Sequence, residues 1–543
     1  MSIIDHSLPY GSQRPLLCAD NVVATSQPLA AQAGLKMLYD GGNAVDAALA
    51  AGIATTVVEP TGSGVGGDAF AIVWEGTQLH GLNASGHSPA AWNPGVFAGL
   101  DRMPARGWPS VTVPGAVASW RVLSERFGRL PFDKLFEPAI RYARHGFAVS
   151  PTIGALWKAI APKYQDQPGF RDCFMPHGRA PWAGERFANP HLADSLQAIA
   201  QSRGKAFYHG ELADKLVAHA AAHGGLMSKN DLAEYEPQWC GTLHQDFAGA
   251  SIHEIPPNSQ GLATLIALGI LQQLDVAQYG PDSVDTMHLC IEAMKLGFAD
   301  SQAYIADPDC MPFRPEALLE PGYLRARAAE IDLRRAGRFE AGAPAHGGTV
   351  YIAAADSEGM MVSFIQSNYE GFGSGVVVPG TGISLQNRGM AFDLMPGHPN
   401  EAGPRKRPFH TIIPGFAMQN GEPLMAFGVM GGPMQAQGHL QMIVRTRLFG
   451  QNPQAACDAP RWQVKQDGQV MIEQAMPARI VEGLKSRGHL VIEDQARPHS
   501  RSAARRSSSA PPMDTWPART IARTALRSAF KRYTPCRAPT RMP

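Results

Sequence analysis

A glycine pair followed by a threonine, Gly347-Gly348-Thr349, stands ahead of the β-like run Val350-Tyr351-Ile352 and the polar turn Asp356-Ser357-Glu358-Gly359. A threonine becomes a strong nucleophile as a chain N-terminus, because its own freed α-amine then serves as the base. Free α-amines titrate near pH ~7.7–8.0, so a useful fraction is neutral at physiological pH. Two reactions are open to such a residue. Thr349 Oγ can attack the Gly348 carbonyl to give an ester that water cleaves, and the liberated Thr349 can then attack a substrate amide. Glycines on the leaving side suit the first step, because a scissile peptide must adopt unusual φ/ψ at little cost. Taken alone, Gly-Gly-Thr is better described as a strand that starts after a glycine turn.

Further motifs decide between these readings. Downstream lie Ser367-Asn368-Tyr369-Glu370-Gly371-Phe372-Gly373-Ser374-Gly375, Pro379-Gly380-Thr381-Gly382 and Gly428-Val429-Met430-Gly431-Gly432-Pro433. Upstream lie Ala24-Thr25-Ser26-Gln27-Pro28, Gly41-Gly42-Asn43-Ala44-Val45-Asp46-Ala47 and Glu59-Pro60-Thr61-Gly62-Ser63-Gly64-Val65-Gly66-Gly67-Asp68. In this order and spacing, over roughly residues 15–495, the chain resembles the γ-glutamyltransferase (glutathione hydrolase) family of self-cleaving N-terminal-nucleophile hydrolases. The run Tyr369 to Gly375 resembles the glutathione hydrolase-like branch more than the transpeptidases. The resemblance implies cleavage between Gly348 and Thr349, with Thr349 as nucleophile and Ser367 as the hydroxyl that hydrogen-bonds it. It also implies that the backbone N–H groups of Gly431 and Gly432 receive the oxyanion. Such donors are worth about 3–4 kcal/mol each when well aimed. Gly66, Gly67 and Asp68 match a glycine loop near the site. No cofactor or metal is needed, and no metal-ligand spacing occurs among the eighteen histidines. The implied partners are a small-molecule amide and the two cleaved pieces themselves, with a homodimer of processed heterodimers as the assembly the resemblance allows.

Departures from the family pattern bear on the substrate. Transpeptidases hold the α-carboxylate with an arginine in the segment matching Ala84-Ser85-Gly86-His87-Ser88-Pro89, where this chain offers Ser85 and His87. Their paired serines correspond to His410 and Thr411, and their aspartate for the α-amine falls at Ala391. Losing a bidentate arginine and an acidic partner removes the charge-assisted bonds that recognise an amino-acid head. Arg388 is a candidate replacement anion contact, with a core ion pair as the alternative. The leading expectation is an autoprocessing threonine amidohydrolase for γ-glutamyl-type amides. A glutaryl acylase of the cephalosporin type, or an unprocessed inactive member acting as a scaffold, are the alternatives.

These residues need a fold to bring them together. Leu29 to Leu38 has helical periodicity and ends at Gly41-Gly42, and Asn43 is placed to cap an alanine-rich helix from Ala44 to Thr55. Ala69 to Trp74 reads as a buried strand. Residues 110–340 read as mainly helical, with helices over 116–126, 191–202, 211–223, 283–304 and 323–335, whereas 349–440 alternates short strands with glycine turns. That order does not fit a βαβ repeat. The resemblance supplies the architecture: an α+β, four-layer αββα sandwich, with residues 1–348 and 349–496 as the two pieces of one fold.

With 543 residues and 44% hydrophobic composition, the chain can bury a large core. No apolar run approaches the ~20 residues of a membrane span, and the N-terminus carries no secretory signal pattern, so a cytoplasmic location is the expectation. The seven scattered cysteines read as buried free thiols. Residues 497–543 break character, with ten arginines, one lysine and one aspartate, and would be disordered. A nucleic-acid-binding role is disfavoured, because residues 1–496 are net acidic and hold no such motif. Read from the third base of each codon, Trp516 to Ser528 permits Asp-His-Arg-Lys-Asp-Gly, a segment near the family's C-terminal end. A shifted reading frame near residues 495–499, costing the sheet its terminal strand, therefore explains the tail.

Overall fold

The computed structural model describes residues 9–10, 17–339, 348–465 and 467–493. Ten strands build two antiparallel sheets. Ahead of Thr349 these are β1 (Val22–Thr25), β2 (Asp68–Trp74), β3 (Leu79–Ala84), β4 (Gln238–Trp239), β5 (Leu243–Phe247) and β6 (Ala250–Glu254). From Gly348 onward come β7 (Gly348–Ala355), β8 (Met361–Tyr369), β9 (Gly415–Gln419) and β10 (Glu422–Phe427). The first sheet runs β1-β7-β8-β2-β3-β4 and the second β10-β9-β6-β5. Both pieces of the chain therefore contribute strands to both sheets.

Helices cover the outer faces. Against the first sheet lie α1 (Pro28–Tyr39) and α2 (Ala44–Val58); against the second lies α3 (Gly261–Leu271), with α4 (Val284–Tyr304) packed on α3 and α5 (Met434–Ile443) reaching the sheet through His439. The inner faces meet through β8 and β7 against β10. Two apolar cores result, one on each sheet, and the layers read helix, sheet, sheet, helix. This is the αββα sandwich anticipated from the sequence.

Local chemistry explains the best-defined part. Asn43 accepts from the N–H groups of Val45 and Asp46 while Asp46 accepts from the Asn43 N–H, a reciprocal capping box that starts α2. All of α2 is buried, because alanine and glycine let it lie close to the sheet. A Cβ at Gly52 would sit 2.7 Å from the Phe364 ring of β8, so no larger residue fits without moving that ring. Gly41, at φ +91°, turns the chain from α1 towards α2.

The helices read over 116–126, 191–202, 211–223 and 283–304 occur as Ala116–Phe127, Pro190–Ser202, Glu211–Ala222 and Val284–Tyr304. Two expectations need correction. The stretch 110–340 also supplies β4, β5 and β6, and the helix read over 323–335 is Pro321–Ala328. Beyond Ala328 the chain is drawn onto α4 instead. His288 Nε2 donates to the Asp332 carbonyl at 2.8 Å, and Lys295 Nζ to that of Gly337 at 3.1 Å. The Gly337 N–H in turn donates to Glu292 at 2.6 Å. These long-range bonds replace the next helical turn.

A smaller sheet of β11 (Trp462–Val464), β12 (Val470–Ile472) and β13 (Val491–Glu493) lies near the C-terminal end of the described chain. The basic tail and its shifted-frame reading lie outside the described residues. Six cysteines are described: Cys290 and Cys457 are buried, Cys18 is exposed and the other three are intermediate. No helix among the described residues is long and apolar enough to cross a membrane.

Candidate active site

Thr349 is the second residue of β7 and only 3% exposed. It lies where the pairing with β8 slips. Val350 faces Gln366 and Gly348 faces Tyr369, so Ser367 and Asn368 together oppose Thr349. Such a bulge re-aims side chains, and here it brings Ser367 Oγ within 3.4 Å of Thr349 Oγ. Tyr369 closes the bulge at φ +78°, a left-handed conformation rare for a bulky residue, and its N–H donates to Ser367 Oγ at 2.7 Å.

A second side chain holds the same hydroxyl. Gln435, in the first turn of α5, donates from Nε2 to Thr349 Oγ at 3.1 Å. Its Oε1 accepts from the Ile413 N–H, also at 3.1 Å, which fixes the orientation of the amide. Sequence reasoning missed Gln435; nothing in Met434-Gln435-Ala436-Gln437 marks one glutamine above the other.

Gly431 and Gly432 form the turn into α5 with φ of +118° and +59°. Met434 N–H donates to the Gly431 carbonyl, and Gln260 Nε2 to that of Gly432 at 2.9 Å. Neither glycine N–H donates to a backbone acceptor among the described residues. Both stand at a helix N-terminus, where the dipole favours negative charge.

Beside this group lies a buried set of charges. His410 Nε2 donates to Asp68 Oδ2 at 3.2 Å, while Oδ1 accepts the N–H groups of Gly115 and Gly86. Burial pushes the Asp68 carboxyl up to about 7 against the pull of Arg388, and drives His410 well below its ordinary value. Arg388 is fully buried, donates from Nη1 to Thr411 Oγ1 at 2.9 Å, and lies 4.3 Å above the Tyr369 ring. Burial, opposed by Asp68, lowers it to about 10. Gln260 bridges the carbonyls of Thr411 and Gly432, joining this set to the glycine turn.

The other two sequence candidates sit apart. Ser85 Oγ donates to Asn83 Oδ1 at 2.7 Å inside a polar cluster with Asn258. His87 Nδ1 faces the Ser88 carbonyl at 2.9 Å, and its ring lies 6.0 Å from Tyr235. Neither makes a hydrogen bond to the Thr349 or Arg388 side chains. Glu59, on the loop that precedes β2, was not singled out; it is fully buried, takes a bond from Ser26 Oγ and is pushed up to about 7 by burial.

One group of described residues has the types of a cation site: His288, Glu292 and His489, with donor atoms within 4.8 Å of one another. Both oxygens of Glu292 are already bound, by Lys295 Nζ at 2.7 Å and by the Gly337 N–H. The ammonium occupies the place of a cation, so the group serves to anchor residues 332–337.

The family model for gamma-glutamyltranspeptidase matches residues 30–514. The chain is 36% identical over 479 residues to the glutathione hydrolase-like YwrD proenzyme of Bacillus subtilis (strain 168), covering 87% of this chain and 91% of that one. It is 36% identical over 442 residues to the oxamate amidohydrolase proenzyme of Klebsiella pneumoniae, covering 80% and 83%. Among solved structures, the cephalosporin acylase from Bacillus halodurans superposes with a TM-score of 0.85 at 47% identity, covering 91% of this chain and 92% of that chain. A family match over most of its length, on an αββα frame with a threonine at the head of a central strand, places this chain in the γ-glutamyltranspeptidase family.

Proposed function

We propose that this protein is a proenzyme that cuts itself between Gly348 and Thr349 and then hydrolyses small amides through a Thr349 acyl-enzyme. The supporting observation is the placement of Thr349 Oγ between Ser367 Oγ and Gln435 Nε2, at a bulge directly after a glycine. In maturation Oγ attacks the Gly348 carbonyl and the peptide nitrogen leaves as the Thr349 amine. Water then opens the ester, leaving a carboxylate on Gly348. In turnover that amine takes the Oγ proton as Oγ attacks the substrate carbonyl, and passes it to the departing amine. Water resolves the ester with the same amine as base. Gly431 and Gly432 N–H groups receive the oxyanion at both stages.

Relatives named as a glutathione hydrolase-like proenzyme and an oxamate amidohydrolase proenzyme support amide hydrolysis after processing. His410 and Thr411 lie beside the nucleophile's neighbours and are assigned to the acyl side of the site, with γ-glutamyl-type amides as the leading class and glutaryl amides as the second. Ser85 and His87 are assigned a more remote part in shaping that pocket. Denaturing electrophoresis with intact mass tests the reading: wild type gives two fragments meeting at 348/349, and Thr349→Ala gives one chain. Cleavage at that bond in Thr349→Ala would sink it.

A further inference from the structure

Arg388 takes no part in the bond-making steps above, yet it is the most constrained cation of the site. Its guanidinium is wholly buried and has one hydrogen-bond acceptor, Thr411 Oγ1. Nε and Nη2 find no acceptor among the described residues. Leaving buried donors without acceptors is costly to a fold. A fold that needed only packing here would do as well with an apolar side chain.

No acid among the described residues answers it by contact. Asp68 supplies opposite charge through space, but its oxygens are bound to Gly86, Gly115 and His410. The unmade donors form one edge of a planar fork, Nε and Nη2, whose shape matches the two oxygens of a carboxylate. The ring that carries the guanidinium belongs to Tyr369, whose own N–H bonds Ser367 Oγ, the neighbour of the nucleophile. Arg388 and Thr349 are thus linked through two residues of one strand, Tyr369 and Ser367. An ammonium group finds no such reception: Ala391 offers only a methyl group, Asp68 is committed to His410, and Glu59 to Ser26.

We infer that Arg388 binds the free carboxylate of the acyl group, and that the acyl donors are amides of short dicarboxylic acids in which an α-amine is not required. The inference rests on the reading of Thr349 as nucleophile. It commits the acyl side to one charge contact in place of two.

The test uses the full-length, self-cleaved protein, with cleavage scored on a gel before any assay. Wild type and Arg388→Gln are compared on glutaryl, γ-glutamyl and butyryl 4-nitroanilides. For wild type, kcat/KM on the glutaryl compound should equal or exceed that on the γ-glutamyl compound and exceed that on the butyryl compound about 100-fold. In Arg388→Gln the glutaryl-to-butyryl ratio should collapse about 100-fold, and Arg388→Lys should restore part of it. A loss shared equally by both compounds leaves the ratio intact, marks a structural role and overturns the inference. A hundredfold wild-type preference for γ-glutamyl over glutaryl overturns it as well. Should Arg388→Gln fail to fold, wild type still decides: glutarate should compete with the glutaryl anilide while the neutral diamide does not, and equal competition by both refutes the carboxylate contact. Wild type that stays uncut and inactive on all three anilides would instead defeat the proposed function itself.

Discussion

Gln435 offers the sharpest test of how the nucleophile is held. Gln435→Leu removes two contacts, the Nε2 donor to Thr349 Oγ and the Oε1 acceptor for the Ile413 N–H, each at 3.1 Å. The second loss falls on stability. Ile413 is buried, and an orphaned buried N–H costs about 1–3 kcal/mol. The first falls on rate, and its size depends on what the donor does. A donor aimed at developing negative charge is worth about 10²–10³ in rate. In the proposed reaction, however, Thr349 Oγ is the attacking atom and surrenders electron density as its bond forms, so the contact would orient the nucleophile without stabilising new charge. About 1 kcal/mol, roughly fivefold, is then the expected loss in both self-cleavage and kcat. Gln435→Glu separates the two effects, because it keeps an oxygen for Ile413 N–H while exchanging the donor for a carboxyl. It should slow cleavage with a smaller shift of the urea midpoint than Gln435→Leu. Time courses on gels and urea titrations measure both quantities. Unchanged rates in Gln435→Leu would show the contact to be inert; a loss beyond a hundredfold would refute orientation in favour of charge stabilisation.

Other outcomes follow from the same geometry. Thr349→Ser should retain partial self-cleavage and turnover, since it keeps an Oγ but loses the methyl that fixes its rotamer; wild-type rates on a gel time course would show the rotamer to be unimportant. Free glutathione should be a poor substrate, because Ala391 offers the α-amine no acid; glutathione hydrolysis at rates matching the glutaryl anilide would contradict this. Asn43→Ala should cost about 1 kcal/mol in urea unfolding through loss of the α2 cap, and no measurable change would show the capping box to be dispensable. Burial lifts the Glu59 carboxyl from 4.5 to about 7, so the folded state binds its proton more tightly than the unfolded chain does. That contribution is complete below about pH 4.5 and fades as pH rises through 7; Glu59→Gln should lose stability less steeply over this window, and parallel pH profiles would reject the assignment.

What the sequence disclosed was what is encoded locally or in a motif. Asn43 and Asp46 announce the start of α2 because cap and first turn lie three residues apart. Thr349 and the Gly431-Gly432 turn stand out because only certain residue types can do the chemistry proposed for them. Gln435 stayed hidden because its partners lie 86 and 22 residues away, and its own neighbourhood reads as ordinary helix. The stretch after Ala328 kept a helix-like composition while His288, Glu292 and Lys295 of α4 drew it aside. Arg388 showed its charge in the sequence, but its unmet donors are a property of packing alone.

The cut proposed after Gly348 falls at the first residue of β7, a strand that pairs with β1 from ahead of the cut and with β8 from beyond it. Before the cut, bringing these strands together is a first-order event, with the chain itself supplying the local concentration. After the cut the same sheet can be remade only when two molecules meet, so refolding becomes second order and weakens with dilution. Matured protein that unfolds thus faces a return route the precursor never met, and its lifetime depends on the unfolding barrier more than on an equilibrium. Folding first and cutting afterwards is then a one-way passage, with each mature molecule carrying an arrangement that its separated pieces are poorly placed to find again.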